Sequence, residues 1–366
     1  MAIVAAAVAG AALLTGCDHP RPRHVPAPAR APRRAAPAAA PVPLRRLVGQ
    51  MVIAGMDGTA PSEDLLNRIR AGELGGVILF TDNVGTDLRA TITALQRAAR
   101  AGGNPPLLIG IDQEGGGVKR LGDAPPYVSP RTITTVTDAF MQGHLTGRAL
   151  AGDGINLDFA PVADVATGPE SFVAVEDRGF SGTPAQVADR AGAFMRGLQR
   201  AGVAATAKHF PGVGALPVDT DYRLSSITRD AAETREALLP FRHLIDGGVD
   251  VVMVASAVYP DLDAARPADF SPAITTGLLR TRLRFRGVAI TDALDTPDGL
   301  GGGSGERALR AARAGADIVL FAGASEGRPA YEAMLAAARA GELARPRLEQ
   351  SYERVVALKH GLAAAG

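Results

Sequence analysis

The strongest constraint on this chain is an eight-fold recurrence. Short apolar runs rich in Val and Ile return at 49–56, 76–80, 107–112, 154–161, 204–209, 251–257, 287–292 and 316–321. They are apolar continuously, with little alternation, which is the pattern of parallel strands covered on both faces. The stretches between them carry apolar residues at i, i+3, i+4 spacing with Gly near their ends, for example at 64–69, 187–198 and 237–245, as amphipathic helices do. Eight strand–helix pairs predict an α/β chain folded as one (β/α)8 TIM barrel, an architecture that takes about 250 residues or more. The alternative is a doubly wound open sheet. No G-x-G-x-x-G follows the first strand to support it, and the glycines at 301–303 read as a flexible loop after strand seven.

Composition narrows the function classes. With 366 residues, 46% hydrophobic and 21% charged, the chain buries a core and is not disordered as a whole. A formal charge of +1 offers no chain-wide field for nucleic acid, so no nucleic-acid partner is expected. A single cysteine closes no intramolecular disulfide and forms no Cys-based zinc site. H-E-x-x-H and G-x-x-x-x-G-K-[ST] are missing, which removes the common zincin and P-loop assignments. Neither a metal nor a cofactor is implied.

The N-terminus reads as a processed segment. Residues 1–17, MAIVAAAVAGAALLTGC, hold no charged side chain and fit a secretory h-region better than a membrane span. No positively charged region precedes the run, so the start is expected upstream of Met1. Leu14-Thr15-Gly16-Cys17 resembles a bacterial lipobox, in which Cys17 is lipidated after cleavage; an ordinary signal peptide with a chance Cys is the alternative. Residues 18–43, with 8 Pro, 8 Ala and 5 Arg and neither Gly, Ser nor Glu, cannot bury a core and read as an extended polyproline tether. Its +4 charge suits anionic headgroups, though a solvated tether serves equally. The domain expected to fold is 44–366. The expected location is the extracytoplasmic face of the cell membrane through a lipid anchor, or secretion if Cys17 is unmodified.

In a TIM barrel, function gathers at the C-terminal strand ends. Several runs end on or lead into polar residues there: Asp112, Asp158, Lys208-His209, Ser256 and Asp292. One such residue is readily explained as a helix cap or an ion pair, but five on one rim point to a site, because a buried unpaired charge costs several kcal/mol. Carboxylates, a Lys-His pair and Arg178 suit binding a neutral polyhydroxylated ligand and cleaving an acetal, which takes one group as nucleophile or base and another as acid. Zero Trp and 4% aromatics argue for a small pocket around one terminal sugar, not a long stacking groove.

From about residue 44 to 365 the chain resembles the barrel domain of glycoside hydrolase family 3, in particular the single-domain bacterial β-N-acetylhexosaminidases. LVGQMVIAGMDG, GGVILF, IDQEGGGVKRL, GINLDFAPVADV, DRGFSGTP, KHFPGVG, DFSPAITTGLLRTRLRFRGVAITDAL and GERALRAARAGADIVLF follow the family's order along the whole domain. The resemblance implies that Asp292 is the nucleophile of a retaining hydrolysis of terminal β-linked N-acetylhexosamine. It also implies that Asp112, Arg178, Lys208 and His209 bind the sugar. A monomer acting on a small carbohydrate is expected.

One stretch departs from the family. Where close members read KHFPGHGDT…DSH, with an Asp–His dyad whose His is the acid/base, this chain reads KHFPGVGALPVDTDY. Asp219 aligns with the dyad Asp and Asp221 takes the place of the His. Val213, Ala215 and Leu216 replace polar positions, Gly117 and Asp82 replace Arg, and Ser256 replaces His. Two readings stay open. Asp221 is itself the acid, with Asp219 as a like charge raising the pair's upper apparent pKa. Otherwise the acid is lost, and the barrel is an envelope lipoprotein that binds a sugar or muropeptide without fast turnover; an inert envelope lipoprotein is the bland limit. Peptidoglycan N-acetylglucosaminides are the first substrate to expect, another β-glycoside the alternative.

Overall fold

A computed structural model describes residues 41–365. The expected signal segment, Cys17 and nearly all of the tether lie outside the described residues. Eight parallel strands close into a ring: β1 (Val52–Ala54), β2 (Gly76–Leu79), β3 (Leu108–Ile111), β4 (Leu157–Asp158), β5 (Ala204–Phe210), β6 (Val251–Val254), β7 (Val288–Ala293) and β8 (Ile318–Phe321). They follow one another around the ring, and Val52 of β1 pairs with Val319 of β8, so no edge is left and the open-sheet alternative falls.

Each strand is apolar throughout because both faces are buried. Ile53, Ile78, Met253 and Ile290 point into the barrel with Leu108, Leu157 and Phe159. Their neighbours Val52, Ala54, Val77 and Leu79 point outward onto one side of the helical layer, and Val252 and Val254 onto the other. This is period-two alternation with apolar residues on both sides. Gly110 shows how tightly the interior fills: a Cβ there would stand 2.8 Å from the Phe159 ring.

The helical layer begins with α1 (Leu44–Gly49), which precedes the ring. It continues with α2 (Glu63–Ala71), α3 (Leu88–Ala101), α4 (Val136–Asp153), α5 (Pro184–Arg200) and α6 (Ala231–Asp246). Side chains start several of these helices, each satisfying an orphan N–H. Ser62 caps α2, Thr135 caps α4, Thr183 with Gln186 boxes α5, and Asp230 with Glu233 boxes α6.

Two strands are shorter than their apolar runs by five residues or more. The leading residues of 49–56 finish α1 and turn. In 154–161, Gly154 caps α4 with φ of 89°, and Asn156 binds β3 through its side chain, accepting from Ile109 N at 2.8 Å and donating to Leu107 O at 3.0 Å. The sixth crossover is irregular. Ala257–Tyr259 joins a small three-stranded sheet with Ser225–Ser226 and Ala264–Pro267, and the return helix, Ala273–Arg282, is a π-helix. The layer ends with α7 (Ser304–Ala314), α8 (Gly327–Arg339) and α9 (Arg345–Ala365).

At the foot of the barrel Asp317, fully buried, gathers charge from two elements. Arg280 of the π-helix pairs with it, as do Arg347 at 3.3 Å and Arg354 at 3.0 Å from α9, while Ser351 of α9 donates at 2.8 Å.

Candidate active site

The polar residues gather at the opposite end, around a cavity of about 470 Å³. Asp112 leaves the tip of β3 and Asp292 lies near the end of β7. Lys208 and His209 come from β5, and Asp219 and Asp221 from the loop after it. Arg178 follows a short helix, Phe172–Val175, in the loop after β4. All seven side chains expected at the site line this one cavity. Asp158 and Ser256 do not line it. Asp158 accepts from Gln113 N at 3.0 Å, and Ser256 donates to Asp269 at 2.7 Å, so both are supports behind the wall.

The floor is a paired lattice. Lys208 Nζ lies 2.7 Å from Asp112 and 2.6 Å from Glu114, leaving one of its three N–H groups for a ligand. Arg178 grips Glu114 with two N–H groups at 2.7 and 2.9 Å, pairs with Asp219, and reaches Glu176 at 3.4 Å. Most of its donors are therefore engaged by protein carboxylates, more fully than a residue reserved for a sugar would be. Burial pushes the Glu114 carboxyl up, but Arg178 and Lys208 outweigh that and hold it at about 2. Lys208 is correspondingly raised: burial lowers it, and Asp112 and Glu114 reverse the effect.

His209 is fixed by Asp164, which accepts from its ring Nδ1 at 2.8 Å and its backbone N at 3.1 Å; the other carboxylate oxygen takes Val213 N at 2.8 Å. Burial disfavours the imidazolium, yet Asp164 wins and the pKa of His209 is raised, leaving Nε2 as the free ring nitrogen.

The two candidate catalytic carboxyls differ in surroundings. Asp292, 8% exposed, takes Ala293 N at 3.0 Å and a long contact from Thr220 Oγ1 at 3.4 Å. Burial raises its pKa, His209 lowers it and Asp219 raises it, for a net upward shift. Asp221 sits at the mouth, takes Thr296 Oγ1 at 3.1 Å, and is pushed up to about 7 by its protein surroundings, then by Asp292 and Asp219. Water reaches this exposed side chain, which discounts the burial contribution and leaves the two like charges as the firmer cause. Among the described residues no group of three or more His, Cys, Asp or Glu is placed to hold a metal ion.

The profile of the Glycosyl hydrolase family 3 N terminal domain matches residues 44–358. The chain belongs to this family. The "Uncharacterized secreted glycosyl hydrolase" of Arthroderma benhamiae is 36% identical over 349 residues, covering 90% of this chain and 97% of that protein. A beta-hexosaminidase of Methylobacillus flagellatus is 35% identical over 276 residues, 72% of this chain and 78% of that one. Among solved structures, a glycoside hydrolase family 3 beta-N-acetylglucosaminidase of Paenibacillus sp. superposes with a TM-score of 0.84 at 35% identity; 89% of this chain matches, and it spans 64% of that longer chain. The protein is thus a family 3 barrel related to β-hexosaminidases.

Within that family 3 barrel, several site residues escaped the sequence reasoning. Arg120 lines the cavity, 3.4 Å from Asp112, with its guanidinium over the Phe80 ring. Glu114 and Asp164 orient the cations, and Glu176 stands beside Arg178. Glu114 and Arg120 lie inside IDQEGGGVKRL and Asp164 inside GINLDFAPVADV. The signal available was a carboxylate or Arg in a loop that must return to the strand end, which the strand-end criterion skipped.

Proposed function

We propose that this protein is a retaining glycosidase that removes terminal β-linked N-acetylhexosamine, with Asp292 as nucleophile and Asp221 as acid/base. The observation that carries this reading is the contrast between two carboxyls in one cavity. Burial raises the Asp292 carboxyl, and its cationic neighbours His209 and Lys208 offset part of that rise. Asp221 lies where Asp292 and Asp219 favour its protonated form, at about 7. Cations beside Asp292 and like charges beside Asp221 suit the first to nucleophilic and the second to acid work.

Asp292 attacks the anomeric carbon while Asp221 gives its proton to the departing glycosidic oxygen. Asp221, now ionised, takes a proton from a water whose oxygen attacks the anomeric carbon and displaces the Asp292 carboxylate, releasing the sugar with its configuration retained. Asp112, the remaining Lys208 N–H and His209 Nε2 hold the sugar hydroxyls, and Arg178 shapes the floor and the N-acetyl side. Asp219 fixes the loop: Arg178 holds its carboxylate, which accepts from Asp221 N at 3.0 Å. The test is hydrolysis of an aryl N-acetyl-β-glucosaminide followed by NMR of the first-formed anomer. We expect the β-anomer and its disappearance in Asp292→Asn; unchanged cleavage by that variant defeats the assignment.

A second reading, a sugar- or muropeptide-binding protein with slow turnover, is favoured by one observation: Asp221 is exposed, and its side chain is held by Thr296 alone. It predicts micromolar sugar binding with background hydrolysis. The lipobox-like segment supports attachment to the outer face of the membrane. Cys17→Ser then releases the protein into the medium, and retention at the membrane refutes the anchor.

A further inference from the structure

The cations that line the cavity sit deep, and the mouth is different. Arg178, Lys208 and His209 are buried and paired with carboxylates, and the remaining lining cation, Arg120, is drawn to Asp112 and the Phe80 ring. At the rim, beside Asp221, Tyr222 is 70% exposed, a large aromatic side chain at the cavity. Glu176 also lines the opening, half-buried, and its nearest cation contact is Arg178 at 3.4 Å, a guanidinium that Glu114 and Asp219 hold more closely.

Gly117 gives Glu176 this position. Its N–H donates to Glu176 O at 2.8 Å, and a Cβ at 117 would stand 3.0 Å from that oxygen and 3.4 Å from Glu176 Cβ. With no side chain at 117, nothing at that position screens the Glu176 carboxylate.

We propose that Tyr222 and Glu176 form a leaving-group subsite that takes an aglycone with a flat or apolar face and a positive charge, such as an amino sugar bearing a free amine. This rests on the glycosidase reading, which puts the departing oxygen beside Asp221 and so puts the aglycone against the next residue, Tyr222. A sugar ring or arene stacks on the exposed phenol, as carbohydrate faces and arenes do on aromatic side chains. An ammonium then meets Glu176, while an anionic aglycone meets a like charge.

The experiment compares three aryl N-acetyl-β-glucosaminides whose phenyl rings carry para aminomethyl, hydroxymethyl or carboxymethyl groups. The readout is the ratio of kcat/KM for the cationic over the anionic substrate in the wild type against that in Glu176→Gln, so that intrinsic leaving-group differences cancel. We expect the wild-type ratio to exceed the variant's by about three- to tenfold, as for a partly exposed ion pair, and to shrink with added salt. Tyr222→Ala raises KM for all three several-fold without changing inhibition by free N-acetylglucosamine. Equal ratios in wild type and Glu176→Gln overturn the subsite. If the wild type cleaves none of the three, the glycosidase reading fails separately. Calorimetric binding of the same glycosides then gives the ratio: a cation preference lost in Glu176→Gln upholds the subsite, and a flat series overturns it.

Discussion

Asp221→Asn tests the acid assignment most directly. The acid must carry its proton when the glycosidic bond breaks, so with a pKa of about 7 the wild-type kcat/KM falls tenfold for each pH unit above that value. The amide cannot donate a proton at any pH. For a methyl or sugar aglycone, whose alkoxide is a poor leaving group, the loss is about 10²–10⁴, or roughly 3–5 kcal/mol of transition-state stabilisation. For a 2,4-dinitrophenyl aglycone, which departs unaided, the glycosylation step loses less than about tenfold. The assay is kcat/KM on both substrates from pH 4 to 9. The variant should lose the alkaline limb with the poor leaving group and keep most of its rate with the good one. An equal loss on both substrates, with the alkaline limb unmoved, refutes the reasoning and returns the protein to the slow, binding reading.

Three further outcomes are expected. Glu114→Gln leaves Arg178 and Lys208 without their shared buried partner and should cost about 3–5 kcal/mol, read as a fall in melting temperature of roughly 5–10 °C. In the wild type, Glu114 has a folded pKa of about 2 against its ordinary 4.5, so its contribution is full above about 4.5 and lost as pH falls toward 2. It amounts to about 3 kcal/mol, and the variant should lack this acid-side slope. Asp164→Asn removes the charge that raises the His209 pKa, so the cationic form beside Asp292 is weakened and the Asp292 pKa rises further; the acid limb of kcat/KM should move to higher pH. Asp292→Asn should abolish turnover while preserving sugar affinity, checked by calorimetry with N-acetylglucosamine.

The barrel was legible because its strands are buried on both sides: a run such as VVMV must be apolar at every position, and eight such runs fix the architecture. Asp112, Lys208, His209 and Asp292, which line the cavity, were legible for the same reason, since a charge at the end of an apolar strand stands out, whereas Asp219 and Asp221 were placed by the family resemblance. The sequence did not disclose who holds whom. Arg178 reads as a free sugar ligand until Glu114, 64 positions away in the chain, is seen to grip it. Nor did it disclose that Asp158 and Ser256 turn behind the wall, because one residue of offset at a strand end reverses the face a side chain presents. The irregular sixth crossover was equally hidden, being set by pairing between Ala257–Tyr259 and the distant Ser225–Ser226.

The knot of charge around Asp317 has a bearing on how the molecule comes into being. Two of its three guanidiniums, and its hydroxyl donor, arrive on α9, which is synthesised after the other described elements. Until that segment emerges from the ribosome, the carboxylate lacks most of its counter-ions and the ring lacks Val355, which plugs it from beneath. Nascent chains stalled before residue 345 should therefore remain open to protease, and protection should appear abruptly once α9 is free.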